Sequence, residues 1–308
     1  MTDIDLKNIS KTYEKGKVLA VNDVSFSVNK GELFGLIGPD GAGKTSILRM
    51  LTTLLLPDSG RASVNGLDVV KDYKKLRQRI GYMPGRFSLY QDLTVEENLY
   101  FFATLFNTTI KENYELIREI YVQIEPFKKR RAGDLSGGMK QKLALCCALI
   151  HKPDVLFLDE PTSGIDAVSR KELWHMLKGL KEQNITILVS TPYMDEATLC
   201  DRIALIQTGK ILLIDTPENI VKTYKGNLYA IKSADKKKLL QNLQHYENTK
   251  QSFSFGDAMH LTFRHEDGHA IDNLQKFLEE NMHEKVEINQ IMPTIEDLFI
   301  QLMSTSQN

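Results

Sequence analysis

The run "GPDGAGKTS", from Gly38 to Ser46, combines glycines, a lysine and hydroxyl groups at a spacing that suits the binding of phosphate groups. It contains the pattern G-x-x-x-x-G-K-[ST] between an apolar run and a helical pattern, which is the context that the pattern needs. Glycines let successive backbone N–H groups point inward at phosphate oxygens, and the helix N-terminus adds a partial positive charge. Motif and context together favour this site over a glycine-rich turn with no ligand.

Two residues of this predicted phosphate cradle have roles of their own. Lys44 would neutralise the β- and γ-phosphates, and the Thr45 hydroxyl would ligate Mg²⁺. The cradle as predicted consists of Gly38, Pro39, Asp40, Gly41, Ala42, Gly43, Lys44, Thr45 and Ser46.

A second chemical signal is the run "VLFLDEP", which begins at Val155. Its apolar residues lead into Asp159 and Glu160 at the end of a predicted strand. Asp159 would hold Mg²⁺ through water, and Glu160 is the candidate for polarising an attacking water. Acidic residues at strand ends are common, so the pair on its own is a weak signal. It becomes a strong one because a predicted phosphate cradle precedes it in the sequence.

Short apolar runs alternate with longer amphipathic runs over the first two thirds of the chain. This alternation predicts an α/β fold with a mostly parallel sheet, since strands buried on both faces are almost continuously apolar. The predicted strands are Glu32–Gly38, Arg79–Pro84, Val155–Glu160 and Thr186–Thr191. The predicted helices are Lys44–Thr53, Thr94–Phe106, Lys111–Phe127, Gly137–Ile150 and Ala167–Gln183, and a further helix follows Pro192.

The pattern changes after Gly226, where the order of predicted elements becomes β-α-β-β-α-β. This order is the split βαβ arrangement of a small α+β domain. A final helix, "TIEDLFIQLM", would begin after Thr294 as its N-cap residue. We therefore predict two domains, residues 1–220 and residues 221–308.

The composition limits the classes of function. The 308 residues carry a net charge of −1, whereas a non-specific nucleic-acid binder needs a clear cationic excess. Three cysteines without metal-like spacing suggest a reducing compartment. The N-terminal residues show no signal sequence, and no run approaches the ~18–20 apolar residues of a membrane span. We expect a chain that does not cross a membrane but could dock on a membrane protein.

Between the two chemical motifs lies "LSGGM", at Leu135, Ser136, Gly137, Gly138 and Met139. With the cradle and the acidic pair, it resembles the signature motif of the ATP-binding subunit of an ABC (ATP-binding cassette) transporter. The resemblance implies a P-loop NTPase cassette over residues 1–220, with a helical subdomain at about 88–152 and with ATP and Mg²⁺ as cofactors. It also implies that two cassettes hold ATP between them, so that the signature of one chain serves the ATP of the other.

Other segments are similar to further motifs of the family. Tyr13 resembles the aromatic residue that stacks on adenine, although a strand-edge tyrosine is the alternative. Asp166, in "PTSGID", resembles a residue of the D-loop at the dimer contact. The segment Phe87–Leu99 resembles the part that receives the coupling helix of the permease.

The runs "LSGGMKQ", "SGID", "STPYMDEA" and "PTIEDLF" are most similar to cassettes that pair with separate short permeases of the drug-efflux kind. This resemblance implies a cytoplasmic ATPase that is peripheral on the inner face of the cell membrane. Its partners would be permease subunits and a second cassette, and transport would be outward. The permease would select the substrate. For the C-terminal domain we favour a packing or dimer-stabilising role without a ligand.

Two positions depart from the family pattern, and both concern the γ-phosphate. The family usually has glutamine where this chain has Gly85, and histidine where it has Pro192. Glycine has no side chain, and proline has neither a side-chain donor nor a backbone N–H. We therefore hypothesise a heterodimer. This chain's own site would be degenerate but would retain Glu160, while its signature would complete the competent site of the partner.

Two other functions remain open. A soluble ABC ATPase that acts on nucleic acid or ribosomes usually has two cassettes or long coiled-coil insertions, whereas this chain has one cassette and no heptad run. A non-catalytic regulatory cassette would bind ATP without contributing to turnover.

Overall fold

The computed structural model describes residues 1–305, so the last three residues of the predicted C-terminal domain lie outside the described residues. The chain forms two compact units, the first spanning Met1–Ile220 and the second beginning at Val221. Among the described residues, no helix combines the length and apolar character needed to cross a bilayer.

The centre of the first unit is a six-stranded sheet with the order β10-β9-β3-β8-β7-β6. Its neighbouring strands are parallel except for the antiparallel pair β9 and β10. Every residue of β3, β7 and β8 is buried, which explains their continuously apolar sequences and confirms the mostly parallel sheet. The strands of this unit are β1 (Thr2–Tyr13), β2 (Val18–Asn29), β3 (Leu33–Ile37), β4 (Ser59–Val64), β5 (Leu67–Asp68), β6 (Ile80–Met83), β7 (Val155–Asp159), β8 (Thr186–Thr191), β9 (Arg202–Gln207) and β10 (Lys210–Asp215).

A second, antiparallel sheet has the order β2-β1-β4-β5 and was not predicted. Its strand β1 places Ile4 and Leu6 two residues apart but Ile9 three residues further on, and all three are buried. Asn8, with a φ of 52°, lies where the pairing with β2 shifts register. Such a bulge lets the apolar residues stay on one face, but it interrupts the period of two by which a strand is recognised in sequence. Residues of both sheets and of helix α1 (Lys44–Leu51), among them Leu6, Phe34 and Leu48, form one buried cluster.

The helices predicted for the first unit lie at the predicted positions, but two segments differ from the prediction in helix type or in length. The predicted helix Lys111–Phe127 is an α-helix only over Tyr114–Tyr121, and a 3-10 turn follows at Glu125–Phe127. Pro126 lies in this turn, and proline does not fit the interior of an α-helix. After Pro192 the chain forms a short 3-10 helix, Met194–Leu199. The remaining helices are α2 (Tyr73–Leu76), α3 (Val95–Leu105), α4 (Tyr114–Tyr121), α5 (Gly137–Leu149), α6 (Ala167–Glu182) and α7 (Pro217–Lys222).

The second unit has an antiparallel sheet with the order β12-β13-β11-β14. This is the sheet order that a split βαβ arrangement produces, which confirms the prediction for these residues. Helices α8 and α9 cover one face, where Leu243 and Leu274 pack against Ile231 and Leu261. The elements are β11 (Leu228–Lys232), α8 (Lys236–His245), β12 (Thr249–Phe255), β13 (Ala258–Phe263), α9 (Ala270–Glu280), β14 (Glu287–Ile291) and α10 (Ile295–Thr305).

The final helix, α10, is tied to this sheet by a buried polar pair. His260 Nδ1 lies 2.6 Å from Asp297 Oδ1, and the imidazole ring stacks on Phe255. Because Met259 and Leu261 face α8 and α9, the alternation of β13 directs His260 to the opposite face, which α10 therefore covers. Thr294 Oγ1 accepts a hydrogen bond from the Asp297 N–H, which confirms Thr294 as the cap of α10.

We predict that Asp297→Ala loosens α10, because it removes both the partner of His260 and the carboxylate that accepts from the Thr294 N–H. A buried polar group without its partner costs about 1–3 kcal/mol, and the lost hydrogen bond from the Thr294 N–H costs about 1 kcal/mol more. Amide hydrogen exchange in α10 should therefore accelerate by about 10²-fold. Asp272→Ala, at an exposed position in the first turn of α9, is the control and should leave this exchange unchanged. Equal exchange in the two variants would show that the pair does not hold the helix.

Candidate functional site

The phosphate cradle connects the end of β3 to the start of α1. Gly43 precedes α1 with a φ of 104°, and Gly41 has a φ of 77°, which is backbone geometry that glycine adopts without strain. A Cβ atom at Gly43 would lie 2.3 Å from the carbonyl oxygen of Ala20, and one at Gly38 would lie 2.1 Å from that of Ile206. The motif glycines are therefore needed for close packing of the backbone as well as for its curvature.

The Lys44 side chain links the cradle to the acidic pair. Its ammonium group donates hydrogen bonds to the carbonyl oxygens of Gly38, at 2.8 Å, and Pro39, at 3.0 Å. The same group lies 3.2 Å from Glu160 Oε1, and the Lys44 side chain is only 3% exposed. A buried ammonium group is thereby neutralised and held at the mouth of the loop.

Asp159 and Glu160 come to the cradle because β3 and β7 are parallel neighbours of β8. Thr45 Oγ1 donates to Asp159 Oδ1 at 3.1 Å, although the two residues are 114 positions apart. Glu160 follows β7 with a φ of 50°. Burial of the Tyr82 side chain and, to a smaller degree, the nearby Asp159 charge raise the pKa of Tyr82 to about 12.

The donor set at this edge fits Mg²⁺. Asp159 and Thr45 offer a carboxylate and a hydroxyl oxygen side by side, and Mg²⁺ prefers oxygen ligands. Residues 1–305 contain no cluster of three or more histidine, cysteine or acidic side chains that could enclose a metal.

A cavity of about 240 Å³ opens over the cradle. Tyr13, at the end of β1, lies beside it, with its hydroxyl 3.0 Å from Ser46 Oγ. The phosphate cradle, the acidic pair and Tyr13 are thus brought to one place by three separate elements. The cavity is lined by Ala20, Gly41, Gly43, Lys44, Thr45, Ser46 and Glu160.

The two departures from the family pattern lie at this same edge. Gly85 follows β6, and a Cβ atom there would lie 3.0 Å from the carbonyl oxygen of Asp159 and 3.9 Å from its Cγ. Pro192 follows β8 directly. Its turn is held by the neighbours, since Thr191 Oγ1 accepts from the Tyr193 N–H at 3.1 Å and donates to Glu196 Oε2 at 2.5 Å.

The signature residues lie at the start of α5, where Ser136 accepts a hydrogen bond from the Met139 N–H as the N-cap residue. A Cβ atom at Gly138 would lie 2.5 Å from Ser169 Oγ, so glycine lets α5 pack closely on the start of α6. Within residues 1–305, no hydrogen bond or ion pair joins residues 135–139 to the phosphate cradle.

Asp166 is the N-cap residue of α6. It accepts hydrogen bonds from the backbone N–H groups of Val168 and Ser169, each at 3.0 Å. These bonds and the one from the Ser169 hydroxyl lower the pKa of Asp166. The residue predicted for the dimer contact therefore also fixes the first turn of α6 in this chain.

A buried polar network, which was not predicted from the sequence, lies behind the Pro192 turn. Glu196 is 1% exposed, and it accepts from Thr162 Oγ1 at 3.1 Å in addition to Thr191. Arg170 Nε lies 3.4 Å from Glu196 Oε1, and the Arg170 guanidinium lies over the Tyr193 ring at 4.1 Å. This network joins the segment after β7 to α6 and to the turn. Hydroxyl residues at the end of an apolar strand were the only signal for it.

An apolar groove of about 710 Å³ lies beside β6 and the segment that precedes α3. Leu54 and Leu105 line it, and they are 57% and 59% exposed. The predicted coupling segment Phe87–Leu99 contributes Ser88 and Leu89 to the lining, and Pro84 connects the groove to Gly85.

Comparison with known proteins is consistent across sequence and structure. A sequence model of the ABC transporter family matches residues 21–163. The probable multidrug ABC transporter ATP-binding protein YbhF of Escherichia coli (strain K12) is 38% identical over 305 residues, which is 97% of this chain. The alignment covers 52% of YbhF, so the chain spans about half the length of this relative. Nod factor export ATP-binding protein I of Burkholderia orbicola (strain AU 1054) is 40% identical over 226 residues, 72% of this chain and 74% of that protein.

Solved structures show the same cassette. A dimeric ATP-binding cassette in a post-hydrolysis state, bound to ADP and Pi, is 26% identical with a TM-score of 0.63. The match covers 69% of this chain and 98% of that cassette. The chain thus shares the fold of a cassette that was solved with bound nucleotide. This chain therefore belongs to the ATP-binding cassette proteins of the ABC transporter family, a family of ATPases.

Proposed function

We propose that this chain is the ATP-binding subunit of an ABC exporter, and that its own site binds ATP but hydrolyses it slowly. The proposal rests on which residues are present, and which are missing, at one edge of the sheet. Lys44, Thr45, Asp159 and Glu160 are joined there by hydrogen bonds and an ion pair. Gly85, whose missing side chain would point at Asp159, offers no side-chain donor, and neither does Pro192.

Binding would rely on groups that the fold already holds in place. The backbone N–H groups of residues 40–46 and the Lys44 ammonium would contact the phosphates, and Tyr13 would stack on the base. Mg²⁺ would be held by Thr45 and Asp159, and when bound it would neutralise phosphate charge. These residues are all present, so we expect nucleotide affinity close to that of a competent cassette.

Hydrolysis would be slow because two side-chain donors for the γ-phosphate region are missing. Removing one preorganised donor at a developing charge typically costs ~10²–10³ in rate. Glu160 is retained beside Lys44 and can still polarise a water, so residual turnover is expected.

The proposal includes a second cassette, and it is supported by the absence, within residues 1–305, of a hydrogen bond or ion pair from the signature residues to the cradle of their own chain. In the proposed heterodimer, the N-terminus of α5, capped by Ser136, would contact ATP held by the partner. The similarity to a cassette solved as a dimer supports pairing, and the lost donors at Gly85 and Pro192 favour an unequal pair.

Export through a separate permease is supported by two observations. The apolar groove exposes Leu54 and Leu105, and permease subunits would dock there on the inner face of the cell membrane. Two relatives are named as a probable multidrug ABC transporter ATP-binding protein and as a Nod factor export ATP-binding protein. Action on nucleic acid is not favoured, because the net charge is −1.

We predict that Gly85→Gln combined with Pro192→His raises the ATPase rate of the purified chain by at least ~10-fold, because both donors are restored. Gly85 has an ordinary backbone φ, and the closest contact of a new Cβ, 3.0 Å, needs only a small shift. The same pair of changes with Glu160→Gln is the control and should stay at background. Fast hydrolysis by the unmodified chain alone, abolished by Glu160→Gln, would contradict the slow site.

Ser136→Ala separates an exporter subunit from a regulatory cassette. In the complex with the partner cassette and permease, we expect ATPase activity to fall by ~10-fold or more, since the site of the partner loses its anion-binding hydroxyl. Asp235→Ala removes a comparable N-cap, that of α8, and should change activity less than twofold. Unchanged activity in the Ser136 variant would favour a cassette that binds ATP without contributing to turnover.

A further inference from the structure

Ser190, a fully buried residue of β8, contacts both members of the acidic pair. Its hydroxyl donates to Asp159 Oδ1 at 2.7 Å and accepts from the Glu160 N–H at 3.1 Å. The Glu160 N–H also points at the Ser190 carbonyl oxygen, at 3.0 Å. One serine therefore supports a carboxylate and the backbone of the residue that follows it.

We infer that Ser190 is a positioning residue that presents Asp159 to Mg²⁺ and fixes the backbone of Glu160. The inference rests on the proposed function, because it assigns Asp159 as the metal-binding carboxylate. Residues that hydrogen-bond a metal ligand orient it, and their loss typically weakens metal affinity ~10–100-fold. Ser190 begins the run "STPYMDEA", but the sequence alone predicted no role for it.

The geometry explains why this serine matters in this chain. Among residues 1–305, Asp159 Oδ1 accepts from two side-chain donors, Thr45 and Ser190, and Thr45 is itself a candidate Mg²⁺ ligand. Gly85 provides no side chain on the opposite side of Asp159. Of these two hydroxyl groups, that of Ser190 can hold Asp159 while leaving both predicted ligands available to the metal.

Glu160 depends on Ser190 in a second way. Its φ of 50° is a left-handed conformation that is unfavourable for a residue with a side chain. Both acceptors of its N–H belong to Ser190, so the serine holds the turn that directs Glu160 toward Lys44. Loss of the hydroxyl would leave one of these two acceptors.

The same strand supplies a closely matched control. Thr186 is also fully buried in β8, donates to a carboxylate, Asp3 Oδ2, at 2.6 Å, and accepts a backbone N–H, that of Gly31, at 2.8 Å. Thr186→Val thus removes the same kind of hydroxyl as Ser190→Ala. The two differ in whether the carboxylate belongs to the candidate metal site.

The test uses calorimetry to measure the affinity of the whole chain for ADP, once with Mg²⁺ and once with EDTA. Because the ligand is ADP, no hydrolysis is involved. We expect Mg²⁺ to strengthen ADP binding to the unmodified chain and to the Thr186→Val variant equally. Ser190→Ala should reduce this Mg²⁺ enhancement by about tenfold and leave the affinity in EDTA unchanged. Fluorescence of Trp174, the single tryptophan, checks folding of the first unit.

A double-mutant cycle shows whether Ser190 acts through Asp159. Asp159→Asn should abolish most of the Mg²⁺ enhancement, and adding Ser190→Ala should change it less than twofold further. Ser190→Cys, which keeps the size of the side chain but donates weakly, should reproduce the loss if the alanine variant unfolds.

Three results would overturn the inference, and the third can be told apart from the first two. If Mg²⁺ strengthens ADP binding equally in the Ser190 variants and in Thr186→Val, the role of Ser190 is refuted but the proposed function is not. The same holds if Ser190→Ala and Asp159→Asn reduce the Mg²⁺ enhancement in a fully additive way. If the unmodified chain binds no ADP, neither with Mg²⁺ nor with EDTA, the proposed function is refuted and the role of Ser190 with it.

Discussion

The hydrogen bond from Thr45 to Asp159 is the interaction on which the site depends, since it joins two motifs that are 114 residues apart. It exists because β3 and β7 both pair with β8 in parallel, which places their carboxyl ends at the same edge of the sheet. A fully buried parallel sheet fixes this register strongly, because any slip would expose apolar residues to water. The phosphate cradle and the acidic pair are therefore held by the core itself.

The changes at Gly85 and Pro192 remove chemistry without disturbing this framework. The Pro192 turn is stabilised by Thr191 and by the buried Glu196, neither of which needs a donor at position 192. Gly85 leaves space beside Asp159 but interrupts no strand, because it follows the end of β6. The proposed loss of γ-phosphate donors is therefore compatible with an intact fold and with the proposed unequal pair of cassettes.

The second unit shows how a small domain satisfies both faces of its sheet. The apolar residues of α8 and α9 cover one face, and α10 covers the other through the buried contact between His260 and Asp297. Burying this polar pair costs desolvation free energy. Its directional hydrogen bond, however, holds the helix in one register on the sheet, whereas apolar contacts would permit several registers.

The sequence by itself determined what depends on neighbouring residues. The glycines of the cradle, the continuously apolar strands, the cap at Thr294 and the order of elements in the second unit could all be predicted, because local backbone preference and periodicity encode them. The bulged antiparallel sheet was missed because register shifts near Asn8 break that periodicity. Only the tertiary structure decided that Ser190 supports Asp159 and that Glu196 joins three segments. These partners are chosen by the pairing of strands distant in sequence, and no local pattern records that pairing.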